Sequence, residues 1–177
     1  MKKLWKIFME MNIIKLYLLT LICHFVWSMF VGFVLYASGI KFSQHVAGAS
    51  EFTNTLFLIP MCAFFEEVLF RWMPMLLLFS AMGFLFRYFT ISSKIKLNVE
   101  KYGVLVVVLM TSVIFGYVHG NIFNVFLQGV SGIIFCMFYL RTLYKERLNG
   151  KKDKYQIRPL ISSSTYHTIC NSVLIFL

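Results

Sequence analysis

The stretch FTNTLFLIPMCAFFEEVLFRWMPMLLLFSAMGFLF, residues 52–86, decides how this chain is read. It is apolar almost throughout, yet Glu66, Glu67 and Arg71 lie in its middle. As one helix at about 1.5 Å per residue it would run roughly 50 Å, longer than the ~30 Å hydrocarbon core of a bilayer. Pro74 offers a place to kink or stop it, so residues 74–86 are a kinked extension, a re-entrant piece or an interfacial helix. Each ionisable side chain at a helix centre costs roughly 2.5–3.5 kcal/mol on insertion scales, so three cost on the order of 8–10 kcal/mol before pairing. Charges retained at that cost point to function.

Outward from this stretch, four more apolar runs are long enough to cross: 16–37, 102–118, 122–140 and 159–177. Of the 177 residues 59% are hydrophobic and 14% charged, against about a quarter charged in a soluble domain. The expected fold is all-α, a polytopic membrane helix bundle of about five transmembrane helices. Residues 38–51 form a polar connection containing His45, and residues 1–51 read as an N-terminal helix with its connecting loop, ahead of a membrane core over 52–177. Only His119, Gly120 and Asn121 separate the third and fourth runs, which predicts a tight antiparallel hairpin. Ser112, Gly116 and Gly120 recur every fourth residue and would let a neighbouring helix approach closely. The last run carries Ser162, Ser163, Ser164, Thr165, His167, Thr168, Asn171 and Ser172, too polar a set to face lipid.

The net charge of +10 is spread in a way that excludes nucleic acid as the partner. Lys2, Lys3 and Lys6 open the chain; Arg87, Lys94, Lys96 and Lys101 form a second group; Arg141, Lys145, Arg147, Lys151, Lys152, Lys154 and Arg158 form a third. Each group falls between apolar runs, as loops facing anionic lipid do. If 52–86 crosses once, all three groups share one side, which predicts a cytoplasmic N-terminus in a plasma membrane. Small size and a Lys-, Ile- and Phe-rich composition suggest a bacterial source. Cys23, Cys62, Cys136 and Cys170 show no CxxC spacing and read as small buried hydrophobes. His24 reads as packed or hydrogen-bonded within the first span, and the many Phe and Met residues as filling and lipid contact.

Three short segments carry the chemistry. In EEVLFR, Glu67 and Arg71 are four apart and share a helix face, which suits an ion pair. Glu66 is rotated by about 100° and is left to act as a general base on water. In FGYVH, Phe115 and His119 share a face, and in HTICN so do His167 and Asn171, a pair able to donate two hydrogen bonds to one oxyanion. Taken singly, each segment also fits helix–helix hydrogen bonding. Glu66 lies mid-span, His119 at a span end, and His167 eight residues after Pro159, so straight helices would leave them at different depths. Tilt, or a later entry of the last helix, must close that gap.

EEVLFR, FGYVH and HTICN fit EExxxR, FxxxH and HxxxN, in that order and on separate apolar segments. In this the chain resembles the CPBP or Abi family, which holds the type II CAAX prenyl endopeptidases and bacterial relatives linked to bacteriocin processing or self-immunity. The resemblance covers roughly residues 52–177, and Trp72 stands where a glycine often follows the arginine. It implies an intramembrane endopeptidase acting on a short hydrophobic or lipidated peptide, such as a bacteriocin or signalling-peptide precursor. By that likeness Glu66 and His119 activate water, His167 and Asn171 stabilise the oxyanion, and Glu67 and Arg71 support the site. No cofactor is favoured; zinc held by Glu66, His119 and His167 is the alternative. The alternative function is a non-catalytic immunity or interaction protein on the same scaffold. A small transporter with a carboxylate proton or cation site ranks last, because no inverted repeat of broken helices is present.

Overall fold

The computed structural model describes residues 7–39, 52–120, 122–150 and 155–175. Lys2, Lys3, Lys6, His45, Asn121, Lys151, Lys152 and Lys154 therefore lie outside the described residues. Helix α1 spans Ile13–Ala37. Helix α2 (Phe52–Glu67) continues through a π-helical turn (Val68–Trp72) into α3 (Met73–Tyr88). Helix α4 is Ser93–Val118, and a second π turn (Val125–Gly129) leads into α5 (Val130–Leu148). Helix α6 is Ile157–Ile175. Among the described residues there is no strand.

Residues 52–88 thus form one continuous helical run, and Pro74 does not end it. The reason is the π turn. There the Met73 amide reaches back five residues to the Val68 carbonyl, and the shift in register places Pro74 in the first turn of a new α segment. A missing N–H costs little at that position.

Four helices are long and apolar enough to cross a membrane: Ile13–Ala37, Leu58–Tyr88, Ser93–Val118 and Val125–Leu148. This is an integral membrane helix bundle. Helix α6, with 19 residues, is not among the four, so the count of about five holds only if α6 is added as a more polar span. Part of its polar side is enclosed by protein, since Ser163, Ser164 and His167 are buried, while Thr165 is exposed and its hydroxyl donates to the Ile161 carbonyl at 2.8 Å. The outer faces of the others expose residues such as Leu18, Phe33, Leu77 and Met110, which suits lipid.

Helix ends extend past the limits of the apolar runs. Lys94, Lys96 and Lys101, expected in a loop, ride on the first turns of α4, where the Ser92 hydroxyl accepts from the Ile95 amide at 3.4 Å. Arg141, Lys145 and Arg147 likewise continue α5. Long cationic side chains lay their stems along apolar surface and keep their heads at the boundary, so charge does not stop a helix there. Arg147, for example, sits 4.3 Å from the Phe79 ring centroid and bonds Glu100 at 2.7 Å.

Six contacts set the register. Phe70 meets Phe115 (centroids 5.3 Å apart) while Leu78 lies beside Gly103, so the 52–88 run and α4 are antiparallel. The Trp72 indole donates to the Tyr155 carbonyl at 2.6 Å, which puts the start of α6 level with the middle of that run. Helix α1 lies along α5: Tyr17 packs on Phe138, the His24 ring meets the Ser131 hydroxyl at 2.7 Å, and the Trp27 indole donates to the Phe126 carbonyl at 2.6 Å. His24 is thus buried and hydrogen-bonded, as expected. Of the cysteines, Cys136 and Cys170 are buried, but Cys23 and Cys62 lie on exposed faces of their helices, so only half fit the expected role.

The α4–α5 hairpin is tight because small residues face one another. A Cβ on Gly116 would come within 2.6 Å of the Val125 Cα and 2.8 Å of the Gly129 amide nitrogen. Gly129 itself faces the Ser112 carbonyl, 3.0 Å from where its Cβ would be. Backbones this close give dense van der Waals contact, the main attraction between helices in lipid. Gly116→Ala is expected to destabilise the detergent-solubilised protein by about 1–3 kcal/mol, since the obstacle is backbone. Gly83→Ala, with open space around it, should be neutral or slightly stabilising. Thermal unfolding of the two variants checks this.

Candidate active site

Glu66 and Glu67 are the last residues of α2, just ahead of the first π turn. Glu67 is fully buried. Its Oε1 lies 3.3 Å from Arg71 Nη1, the ion pair expected from the four-residue spacing. The same oxygen lies 3.0 Å from His167 Nδ1 on α6. Arg71 is buried too, with its guanidinium 4.2 Å from the Phe115 ring centroid and 5.3 Å from that of Phe135. A guanidinium on aromatic faces is partly compensated for the water it has lost.

Glu66 points where the rotation predicts, away from Arg71. Its Oε2 is 3.4 Å from His167 Nε2 and its Oε1 is 3.8 Å from His119 Nε2. The two glutamates therefore take opposite nitrogens of one imidazole, a link the expected Glu67–Arg71 pairing did not include. About 100° between neighbouring side chains is what lets two carboxylates bracket a single ring.

Both histidines are oriented through Nδ1. His119 Nδ1 lies 2.7 Å from the Phe115 carbonyl, which can only accept, so that nitrogen carries the proton. Nε2 is left facing Glu66. His119 is the C-cap of α4, held further by the Asn124 amide, which donates to the His119 carbonyl at 2.6 Å. His167 is tied to Glu67 in the same sense, with Nε2 towards Glu66. A carboxylate or carbonyl behind a histidine fixes ring orientation in catalytic and metal sites alike.

The depth mismatch closes because α6 starts deep, level with Trp72, which brings His167 up to Glu66. The directions of the side chains do the rest. Glu66 and His119 lie on antiparallel helices and each leans toward its own N-terminus, so they lean toward each other.

Glu66 is 29% exposed and His119 30%, whereas Glu67, Arg71 and His167 are buried at 3% or less. The cluster is a closed base with one open edge. Asn171 sits half-buried one turn beyond His167 on α6. Among the described residues, Glu66 Oε2, Glu67 Oε2, the three Arg71 nitrogens and Ser112 Oγ are enclosed without a hydrogen-bond partner in the protein, which leaves polar capacity around the glutamates. No group of three His, Cys, Asp or Glu side chains among the described residues is arranged to hold a metal ion. Separately, a cavity of about 290 Å³ lies between α1 and α6, lined by Leu21, Ile22, His24, Phe25, Ser28, Cys170 and Val173, none of them in this cluster.

Two phenylalanines correct the expectation that this residue type only fills space. Phe115 touches both histidine rings and Arg71, and Phe135 stacks on His167. Phe115 was marked by its four-residue spacing to His119. Phe135 has no signal in a chain with 20 phenylalanines. No family model, curated protein or solved structure matches the chain.

Arg71→Met keeps the stem and removes the charge, leaving Glu67 buried beside only an imidazole. A loss of about 3–5 kcal/mol is expected. Glu66→Gln, at the open edge, should change stability by less than about 1 kcal/mol. Thermal melts of the purified variants in one detergent separate the two effects.

Proposed function

We propose that this chain is a membrane-embedded endopeptidase that cleaves a short hydrophobic or lipidated peptide with a water activated by Glu66. The observation that carries the reading is the placing of one partly exposed carboxylate between the Nε2 atoms of His119 and His167, at 3.8 Å and 3.4 Å. The motif resemblance to the CPBP or Abi family supports it.

In the proposed reaction a water sits at the open edge, bonded to Glu66 and His119. Glu66 takes its proton while the water oxygen attacks the scissile carbonyl carbon. Asn171 and, as an imidazolium through Nε2, His167 donate to the oxyanion of the tetrahedral intermediate. Glu66 then passes the proton to the leaving amine nitrogen as the C–N bond breaks. Glu67 and Arg71 act through His167, holding its ring. If zinc takes part, Glu66, His119 and His167 are the residues to hold it. A cytoplasmic N-terminus, from the placing of the basic groups, and a bacterial plasma membrane, from the small size and composition, complete the reading.

The test compares small peptides from cells expressing wild type or Glu66→Gln, with His167→Ala as a second variant. Processed fragments should fall by at least about 10²-fold in both, as loss of a general base requires. Fragments and phenotype intact in both variants would overturn the enzyme and leave an immunity or interaction protein. Chelation followed by dialysis should leave cleavage unchanged. Loss restored by added zinc would move the mechanism to the metal.

A further inference from the structure

We infer that Phe135, on α5 and outside all three motifs, is a positioning residue that clamps the His167 imidazole so that both ring nitrogens stay on the two glutamates. The two rings are stacked, with centroids 4.1 Å apart and planes 23° apart. Rotation about the last histidine torsion is soft, with broad wells, so contacts at the ring edge leave the plane free to rock. A flat partner on one face removes that freedom. Phe115 closes another side, edge-on at 5.8 Å and 79°.

The clamp is itself held. Phe135 is 1% exposed and meets Tyr166 and Phe115 in edge contacts at 5.8 Å and 6.2 Å. Its ring also lies 5.3 Å from the Arg71 guanidinium. The negative face of an aromatic ring attracts a cation, so the same ring steadies Arg71 and any positive charge that His167 takes up. Gly132, one turn earlier on α5, makes this possible. A Cβ there would come within 3.0 Å of Arg71 Nη2 and 3.2 Å of the Ser112 Cα.

The consequence for activity rests on the peptidase reading; the ring geometry does not. The test uses the full chain in lipid nanodiscs with ¹³C-labelled histidine, the His167 signals being assigned by their loss in His167→Ala. In the wild type the His167 ring protons lie over the Phe135 face and should be shifted upfield. Phe135→Leu should abolish that shift and lower peptide processing about tenfold. Phe135→Met, close to the original volume, should do the same if Leu fails to fold. An unchanged resonance in a folded variant, or a lost shift with processing at the wild-type level where Glu66→Gln abolishes it, would overturn the inference. If Glu66→Gln leaves the fragments intact while Phe135→Leu still moves the resonance, the peptidase reading falls and the clamp stands.

Discussion

A carboxylate shielded from both water and lipid, that of Glu67, is the constraint around which the bundle is organised. Such a group persists only with charged or hydrogen-bonded partners close by. Arg71 comes from one turn along the same run and His167 from α6. The first partner follows from helix geometry alone. The second requires α6 to stand at one height and one rotation against α2. Because the Tyr155 carbonyl also accepts from Trp72, α6 is pinned at two levels along one helical run. Arg71 in turn needs Phe115 beneath it and Gly132 beside it, which draws α4 and α5 into the same arrangement.

The two π turns serve this constraint. One follows the glutamates and carries Arg71; the other precedes α5 where Val125 and Gly129 face Gly116. A π turn adds a residue to the helix and rotates everything beyond it, and such turns gather at functional sites. Here the first resets the helix just after Glu67 and makes Pro74 harmless. The second accompanies the closest backbone approach in the hairpin. Together they let long helices meet at the site without a break in the chain direction.

Much of this was legible in the residues. Alternation of apolar runs with basic groups marks a membrane bundle, and the Glu67–Arg71 pair and the opposite aim of Glu66 follow from 3.6 residues per turn. The short gap between the apolar runs foretells the hairpin, and Ser112 and Gly116 at four-residue spacing foretell its close packing. Other features were not legible, for physical reasons. Helix ends at Ser93 and Leu148 lie beyond the apolar limits, because Lys and Arg snorkel and hydropathy stops at their charges. The depth of α6 depends on a tertiary bond, Trp72 to Tyr155, that leaves no local pattern. Two glutamates sharing one imidazole is likewise a tertiary event, between α2 and α6, and Phe135 is one aromatic among many.

The organisation of the bundle depends on Glu67 and His167 acting as one unit in the membrane. A double-mutant cycle measures this directly, with Glu67→Gln, His167→Gln and the combined variant compared with wild type by unfolding in detergent. A coupling energy above about 1 kcal/mol is predicted, as expected for buried partners in one charge network. Effects that add to within about 0.3–0.5 kcal/mol would mean the two residues do not meet, and would contradict the account.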